Sequence, residues 1–167
     1  ASDLISLDNP NYQYVAARLL LYSLRKSLYG RMWELPHLMD HIKDCIDKDV
    51  YDADILVKYC EEEIDILNDV IDHGRDFLFT YAGLRQVADK YLVQDRSSGK
   101  VYETPQFMYL LIAMTIFADY PKKTRLDYVT RYYQAISKHR INIPTPIMGG
   151  VRTPLRQFVS CHLVYAD

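Results

Sequence analysis

With 167 residues, 49% of them hydrophobic and 25% charged, the chain has the size and composition of one domain that can bury a core, which excludes a disordered tail. Its 20 lysines and arginines against 22 acids leave a formal charge of -2 without any run of like charge, so nucleic acid is excluded as the expected partner. Three scattered cysteines (45, 60 and 161) fit neither a disulfide framework nor a zinc site, and no apolar run reaches the roughly 20 residues of a bilayer span, so the expected setting is cytoplasmic and off the membrane. In chain order, "DNPNYQYVAARLLLYSLRKSLYG" predicts a long first helix capped by Asp8 or Asn9, opened by Pro10 and stopped by Gly30. Leu35, Leu38, Ile42 and Ile46, then Ile55, Ile64, Leu67 and Ile71, repeat at helical spacing on either side of a break at residues 50–54, predicting two or three further helices. Tyr81, Leu84, Val87 and Tyr91 predict another, after which "KYLVQDRSSGKVYE" alternates around Ser97-Ser98-Gly99 as a hairpin over 91–103. Thr104 and Pro105 cap "QFMYLLIAMTIFAD", apolar nearly all round and expected to be the central buried helix; Pro121 opens an amphipathic one carrying Leu126, Val129, Tyr133 and Ile136.

Helical periodicity stops near Arg140, and the remainder, "IPTPIMGGVRTPLRQFVSCHLVYAD", is of another kind. Pro144 and Pro146 bracket Thr145 and are expected to hold it in extended backbone, while Gly149 and Gly150 permit a tight turn or the close approach of another group. The alternation in "QFVSCHLVY" predicts a half-buried strand on which Ser160 and Cys161 face opposite sides. By these patterns alone the segment is either plain structure, with Cys161 a small buried hydrophobe, or a site where hydroxyl and thiol groups converge. Using Cys161 as a nucleophile activated by His162 is disfavoured, because adjacent strand residues point apart. His41 and His73 are expected on the surfaces of amphipathic helices.

The run "IPTPIMGGVRTPLRQFVSC" resembles the opening of the catalytic barrel in the large subunit of class I ribonucleotide reductases. "NYQYVAARLLLYSLRK", "DHGRDFLFTYAG", "KYLVQD" and "YETPQFMY" resemble the preceding helical domain in the same order, so the resemblance covers essentially the whole chain. It implies a mainly α fold: residues 1–30 as the end of an ATP-cone region with the first long helix, 31–140 as a helical domain, about seven helices in all with the one hairpin, and 141–167 as the first two strands of a ten-stranded α/β barrel.

The resemblance also implies an activity, reduction of ribonucleoside diphosphates to the 2′-deoxy form by radical chemistry. Cys161 matches a cysteine of the redox pair, whose second member lies downstream, and Thr145 and Ser160 match substrate-contacting positions. Lys26 matches a lysine at the edge of the ATP effector cone, most of which would precede Ala1; its alternative is an ordinary solvated lysine. Val159 stands where the pattern has serine, and His162 is an unusual follower of the cysteine. The 15 tyrosines are not read as a radical path, because the residues of that path belong to other parts of the subunit. No metal or cofactor is expected within the chain: the radical would come from a metal-containing small subunit, and ATP and deoxynucleoside triphosphates would act as effectors. Implied partners are the remainder of the large subunit, the small subunit, the diphosphate substrates and a reductant of the thioredoxin or glutaredoxin type. With one member of the redox pair, the chain alone is not expected to turn over. A helical interaction module descended from the reductase is the alternative reading.

Overall fold

The computed structural model describes residues 9–155 and Phe158. Among them are eight α-helices, one 3-10 helix and a two-stranded hairpin, in a single core organised around α6 (Pro105–Ile116). The mainly α fold and the hairpin are as the sequence indicates; of the strand expected over 157–164 only Phe158 is described, and Ser160 and Cys161 lie outside the described residues.

Helix α1 (Tyr12–Tyr29) starts two residues later than its signals suggest. Pro10 sits in a preliminary turn, where Asn9 accepts a hydrogen bond from the Asn11 N–H at 3.3 Å. Gly30 ends it as expected: at φ 71° it is left-handed, and its N–H donates to the Lys26 carbonyl at 2.9 Å. Ala17, Leu21 and Arg25, four apart, form the buried stripe that meets α5 (Tyr81–Lys90). Helix α2 (Leu38–Asp47) packs on α4 (Glu61–Val70), and the short α3 (Asp54–Lys58) fills the bend between them. Helix α4 opens with a reciprocal cap in which the Cys60 N–H donates to Glu63 at 3.1 Å.

After the 3-10 helix (His73–Leu78) and α5, strands β1 (Gln94–Asp95) and β2 (Lys100–Val101) pair antiparallel, Gln94 opposite Val101. The Asp95 carboxylate makes the turn, accepting from the Ser97 N–H at 2.8 Å and from the Ser97 and Ser98 hydroxyls at 2.7 Å. In α6 every residue from Pro105 to Met114 is buried, so it is surrounded rather than amphipathic. A fully buried side chain of the Leu or Phe type contributes about 1.5–3 kcal/mol relative to exposure, which makes this helix the largest apolar contribution to the core. Helix α7 (Lys122–Ser137) lays Val129, Tyr133 and Ile136 against it.

The eighth helix, α8 (Thr145–Gly150), corrects the expectation of extended backbone at Thr145 and Ile147. Pro144 is its N-cap and Pro146 lies in its first turn, where missing N–H groups cost nothing. The Pro144 carbonyl instead accepts from Ile147 and Met148 at 3.0 and 3.1 Å.

An added Cβ would meet open space at both Gly30 and Gly149, but only Gly30 has positive φ. Gly149→Ala should therefore stabilise the chain by about 0.5–1 kcal/mol, and Gly30→Ala should destabilise it by about 1–2 kcal/mol, in denaturant unfolding. Equal signs would contradict the helical assignment of α8.

Candidate functional site

Thr145 is exposed in the first turn of α8, and its hydroxyl lies 3.5 Å from that of Tyr91 at the end of α5. Beside it, α5, α6, the end of α7, residues 141–143 and α8 enclose a half-open cleft of about 420 Å³. Thr80, Tyr91, Tyr109, His139, Asn142 and Met148 contribute to its walls, a surface of mixed polar and apolar character.

Apolar burial sets the position of this edge only in part: Ile147 and Met148 of α8 are half-buried against the core, and no residue of the helix is fully buried. Its register is set two residues past the helix, where Arg152 is 0% exposed. Its Nε donates to both oxygens of the equally buried Glu103, at 3.1 and 2.9 Å, and Nη2 makes a further, short bond to Glu103 Oε1. Nη1 donates to the Met148 carbonyl at 2.5 Å and Nη2 to the Tyr91 carbonyl at 3.0 Å. The Arg152 carbonyl accepts from the Asp52 N–H at 3.0 Å. One side chain thus joins α8, the end of α5 and the end of the hairpin, while its backbone joins the loop before α3.

Glu103 is saturated in turn. Oε1 accepts from the Val93 N–H at 2.7 Å, and Oε2 from the Tyr51 hydroxyl at 2.6 Å. Because the Tyr51 proton goes to Glu103, the contact of its oxygen with His41 Nε2 at 3.0 Å requires His41 to be the donor there. Burial, then the Glu103 charge, holds the Tyr51 hydroxyl well above its ordinary pKa, so it remains a donor. His41, expected on a helical surface, is instead 2% exposed and stacked on Phe107 at 4.0 Å. Burial depresses its pKa to about 3, keeping it neutral. Cys45 lies one turn away with its thiol toward the Tyr102 carbonyl at 3.7 Å; burial pushes it up to about 12, so it is an inert thiol.

Two further buried ion pairs staple other parts of the domain. Arg25 donates to Asp76 at 3.0 Å and to the His73 carbonyl at 2.9 Å; Asp76 also accepts from Gln106 at 2.9 Å. Arg125 grips Glu63 and donates to the Lys58 carbonyl at 2.8 Å. His73, also expected on a helical surface, is half-buried in the 3-10 helix with its ring 4.9 Å from that of Phe107. Lys26, next to Arg25, is exposed in the last turn of α1. Of the sequence-derived site residues, Thr145 and Lys26 are described, on different elements; Ser160 and Cys161 lie outside the described residues. Arg152, Glu103, Tyr51 and His41 carried no role in the sequence reading. Arg152 stands inside the quoted "GGVRTP" run, but nothing in a pattern pairs it with a glutamate 49 positions earlier. Among the described residues no group of three or more His, Cys, Asp or Glu side chains is placed to hold a metal ion, and no helix is long and apolar enough to cross a membrane.

A helical domain that ends by clamping a Thr-Pro, Gly-Gly segment across its hairpin matches a known module: residues 77–156 fit the family described as ribonucleotide reductase, all-alpha domain. The whole chain is 52% identical over 167 residues to the ribonucleoside-diphosphate reductase subunit alpha of Haemophilus influenzae, covering 100% of this chain and 22% of that protein. It is 51% identical over 164 residues to ribonucleoside-diphosphate reductase 1 subunit alpha of Escherichia coli (98% and 21%), and 48% over 166 residues to subunit alpha of Enterobacteria phage T4 (99% and 22%). Over its whole length the chain is similar to ribonucleotide reductase large subunits, and it spans about a fifth of the length of the curated relatives it matches.

The His41 geometry predicts a pH dependence. A histidine depressed from 6.5 to about 3 contributes stability that is present above pH 6.5 and lost as pH falls toward 3. His41→Phe keeps the stacking on Phe107, so the stability of the native chain relative to this variant should fall steadily over that window in denaturant melts. A difference independent of pH would contradict a buried neutral imidazole.

Proposed function

We propose that this chain supplies the helical domain and one wall of the substrate site in a ribonucleoside-diphosphate reductase large subunit, which makes deoxyribonucleotides for DNA synthesis. The observation that supports this best is that Thr145, within the motif shared with the family, is presented at an exposed edge by a fully buried clamp at Arg152, beside a cleft with hydroxyl and amide groups. The reading places residues 141–167 at the opening of the catalytic barrel, with the short helix α8 leading into it.

In this reading Thr145 and Ser160 hold the nucleoside diphosphate through hydroxyl hydrogen bonds, and Gly149 and Gly150 admit its close approach. Cys161 and a second cysteine outside this chain form the reducing pair. One thiol hydrogen joins the 2′-hydroxyl, which leaves as water, and the other ends on C2′. The C2′–O bond breaks, a C2′–H bond and an S–S bond form, and the two electrons come from the thiols. A metal-containing small subunit would supply the initiating radical, and a thioredoxin or glutaredoxin type protein would reduce the disulfide. The exposed Lys26 would offer a point charge to the phosphates of an ATP or deoxynucleoside triphosphate effector. All of this belongs to a cytoplasmic enzyme assembled with the rest of the large subunit; the chain alone would not turn over.

In the complete subunit with its small subunit, Cys161→Ser should keep diphosphate binding and abolish turnover, since a hydroxyl can donate a proton but not electrons. Thr145→Val should weaken binding by about 1–3 kcal/mol, the cost of leaving a polar partner unsatisfied. Normal multiple-turnover synthesis by Cys161→Ser with a dithiol reductant would refute the redox role.

A further inference from the structure

We infer that Arg152, with its acceptor Glu103, is a positioning residue for the substrate site: it fixes the register of the segment that carries Thr145, so the contribution of the Thr145 hydroxyl to diphosphate binding depends on this clamp. The inference rests on the reading of Thr145 as a substrate contact and adds residues that touch no substrate.

Helix α8 is only six residues long, has no buried residue and starts from a proline cap without a side-chain hydrogen bond. Its half-buried Ile147 and Met148 rest on the core, but such non-directional contacts hold a short helix in place without fixing its register. The residues just past its end are, by contrast, deeply buried: Arg152 is 0% and Thr153 6% exposed, and the Thr153 hydroxyl caps back on the Gly150 carbonyl at 2.8 Å. Every nitrogen of the Arg152 guanidinium is engaged, and its acceptors lie on separate elements: Met148 in α8, Tyr91 after α5 and Glu103 after the hairpin. The Tyr91 carbonyl is decisive, because the hydroxyl of the same residue sits 3.5 Å from Thr145. The guanidinium therefore holds both sides of the Thr145 contact, α8 through the Met148 carbonyl and Tyr91 through its own. The fork geometry is needed for this: a lysine could keep its charge against Glu103 but could not reach all three acceptors. Glu103 is itself fixed by Tyr51 and the Val93 N–H, so the clamp is tied to the core and not to a movable surface group.

The test is a double-mutant cycle in the complete large subunit with its small subunit, reading the Kd of a nucleoside diphosphate and kcat for each of the wild type, Thr145→Val, Arg152→Lys and the double variant. Thr145→Val should raise Kd by about 5–150-fold in the Arg152 background. In the Arg152→Lys background the same change should cost less than about twofold, since the hydroxyl is no longer placed to be missed. A residue that only stabilised the fold would lower the active fraction while leaving the Thr145→Val ratio unchanged in the surviving protein. That equal ratio would overturn the inference and leave the substrate reading standing. A Thr145→Val change with no effect on Kd in either background would overturn the substrate reading, and the inference with it. Circular dichroism checks folding. Should Arg152→Lys not fold, Glu103→Gln, which keeps the shape and one carbonyl acceptor, enters the same cycle with the same expected loss of coupling.

Discussion

The ion pair between Arg152 and Glu103 is the constraint on which the arrangement of the candidate site depends. Both side chains are withdrawn from water, and their attraction has to offset a desolvation cost of several kcal/mol per ion. It does so by saturation: the guanidinium has two carbonyls besides its carboxylate, and the carboxylate has a tyrosine hydroxyl and a backbone N–H besides its guanidinium. Removing either partner would strand a buried charge, at a cost of about 3–5 kcal/mol, and apolar residues in place of both would leave the Tyr51 hydroxyl, the Val93 N–H and two carbonyls without these partners. What the pair adds over apolar packing is direction. Apolar side chains would hold α8 against the domain without dictating its register; the Arg152 fork permits one.

The same logic recurs twice around α6. Arg25 with Asp76 and Arg125 with Glu63 join residues 51 and 62 positions apart, and each arginine also takes a backbone carbonyl. Gln106 and Tyr133 extend the first pair through the core: Gln106 donates to Asp76, and the Tyr133 hydroxyl donates to Gln106 at 2.8 Å while accepting from the Asp72 N–H at 2.9 Å. Apolar burial brings α1, α5 and α7 together around α6, and these polar links fix how each is aligned. Lys26, the neighbour of Arg25, is thereby held at the end of a helix whose last turn is anchored from the inside.

Much of this was legible in the sequence, and what was not has a common physical origin. Periodicity locates α2, α4, α5 and α7 because apolar residues at three- and four-residue spacing must share a face; Pro10 and Gly30 bound α1, an unbroken apolar run marks α6, and Asp95 to Gly99 announces its turn by residue type alone. Periodicity also assigns charged residues to water. Arg25, Glu63, Asp76, Glu103, Arg125 and Arg152 break that rule, each because a partner far along the chain replaces the solvent. His41 was misread for the same reason: its stacking partner Phe107 and its acceptor Tyr51 come from other segments. Pro144 and Pro146 were misread as barring helix, although both fall where a helix has no N–H to lose. Family resemblance, not local pattern, selected Thr145, Ser160, Cys161 and Lys26, and it selected none of the residues that hold Thr145 in place.

The central claim is that the chain brings one half of a reducing dithiol to a nucleotide held beside Thr145. It is tested most directly by a single turnover of the complete enzyme, fully reduced beforehand and given diphosphate substrate without external reductant, followed by thiol blocking and peptide mapping. Stoichiometric deoxynucleotide is predicted, together with a disulfide joining Cys161 to a cysteine outside residues 1–167. Deoxynucleotide formed with Cys161 still a free thiol, or with Cys161 bonded to Cys45 or Cys60, would contradict it.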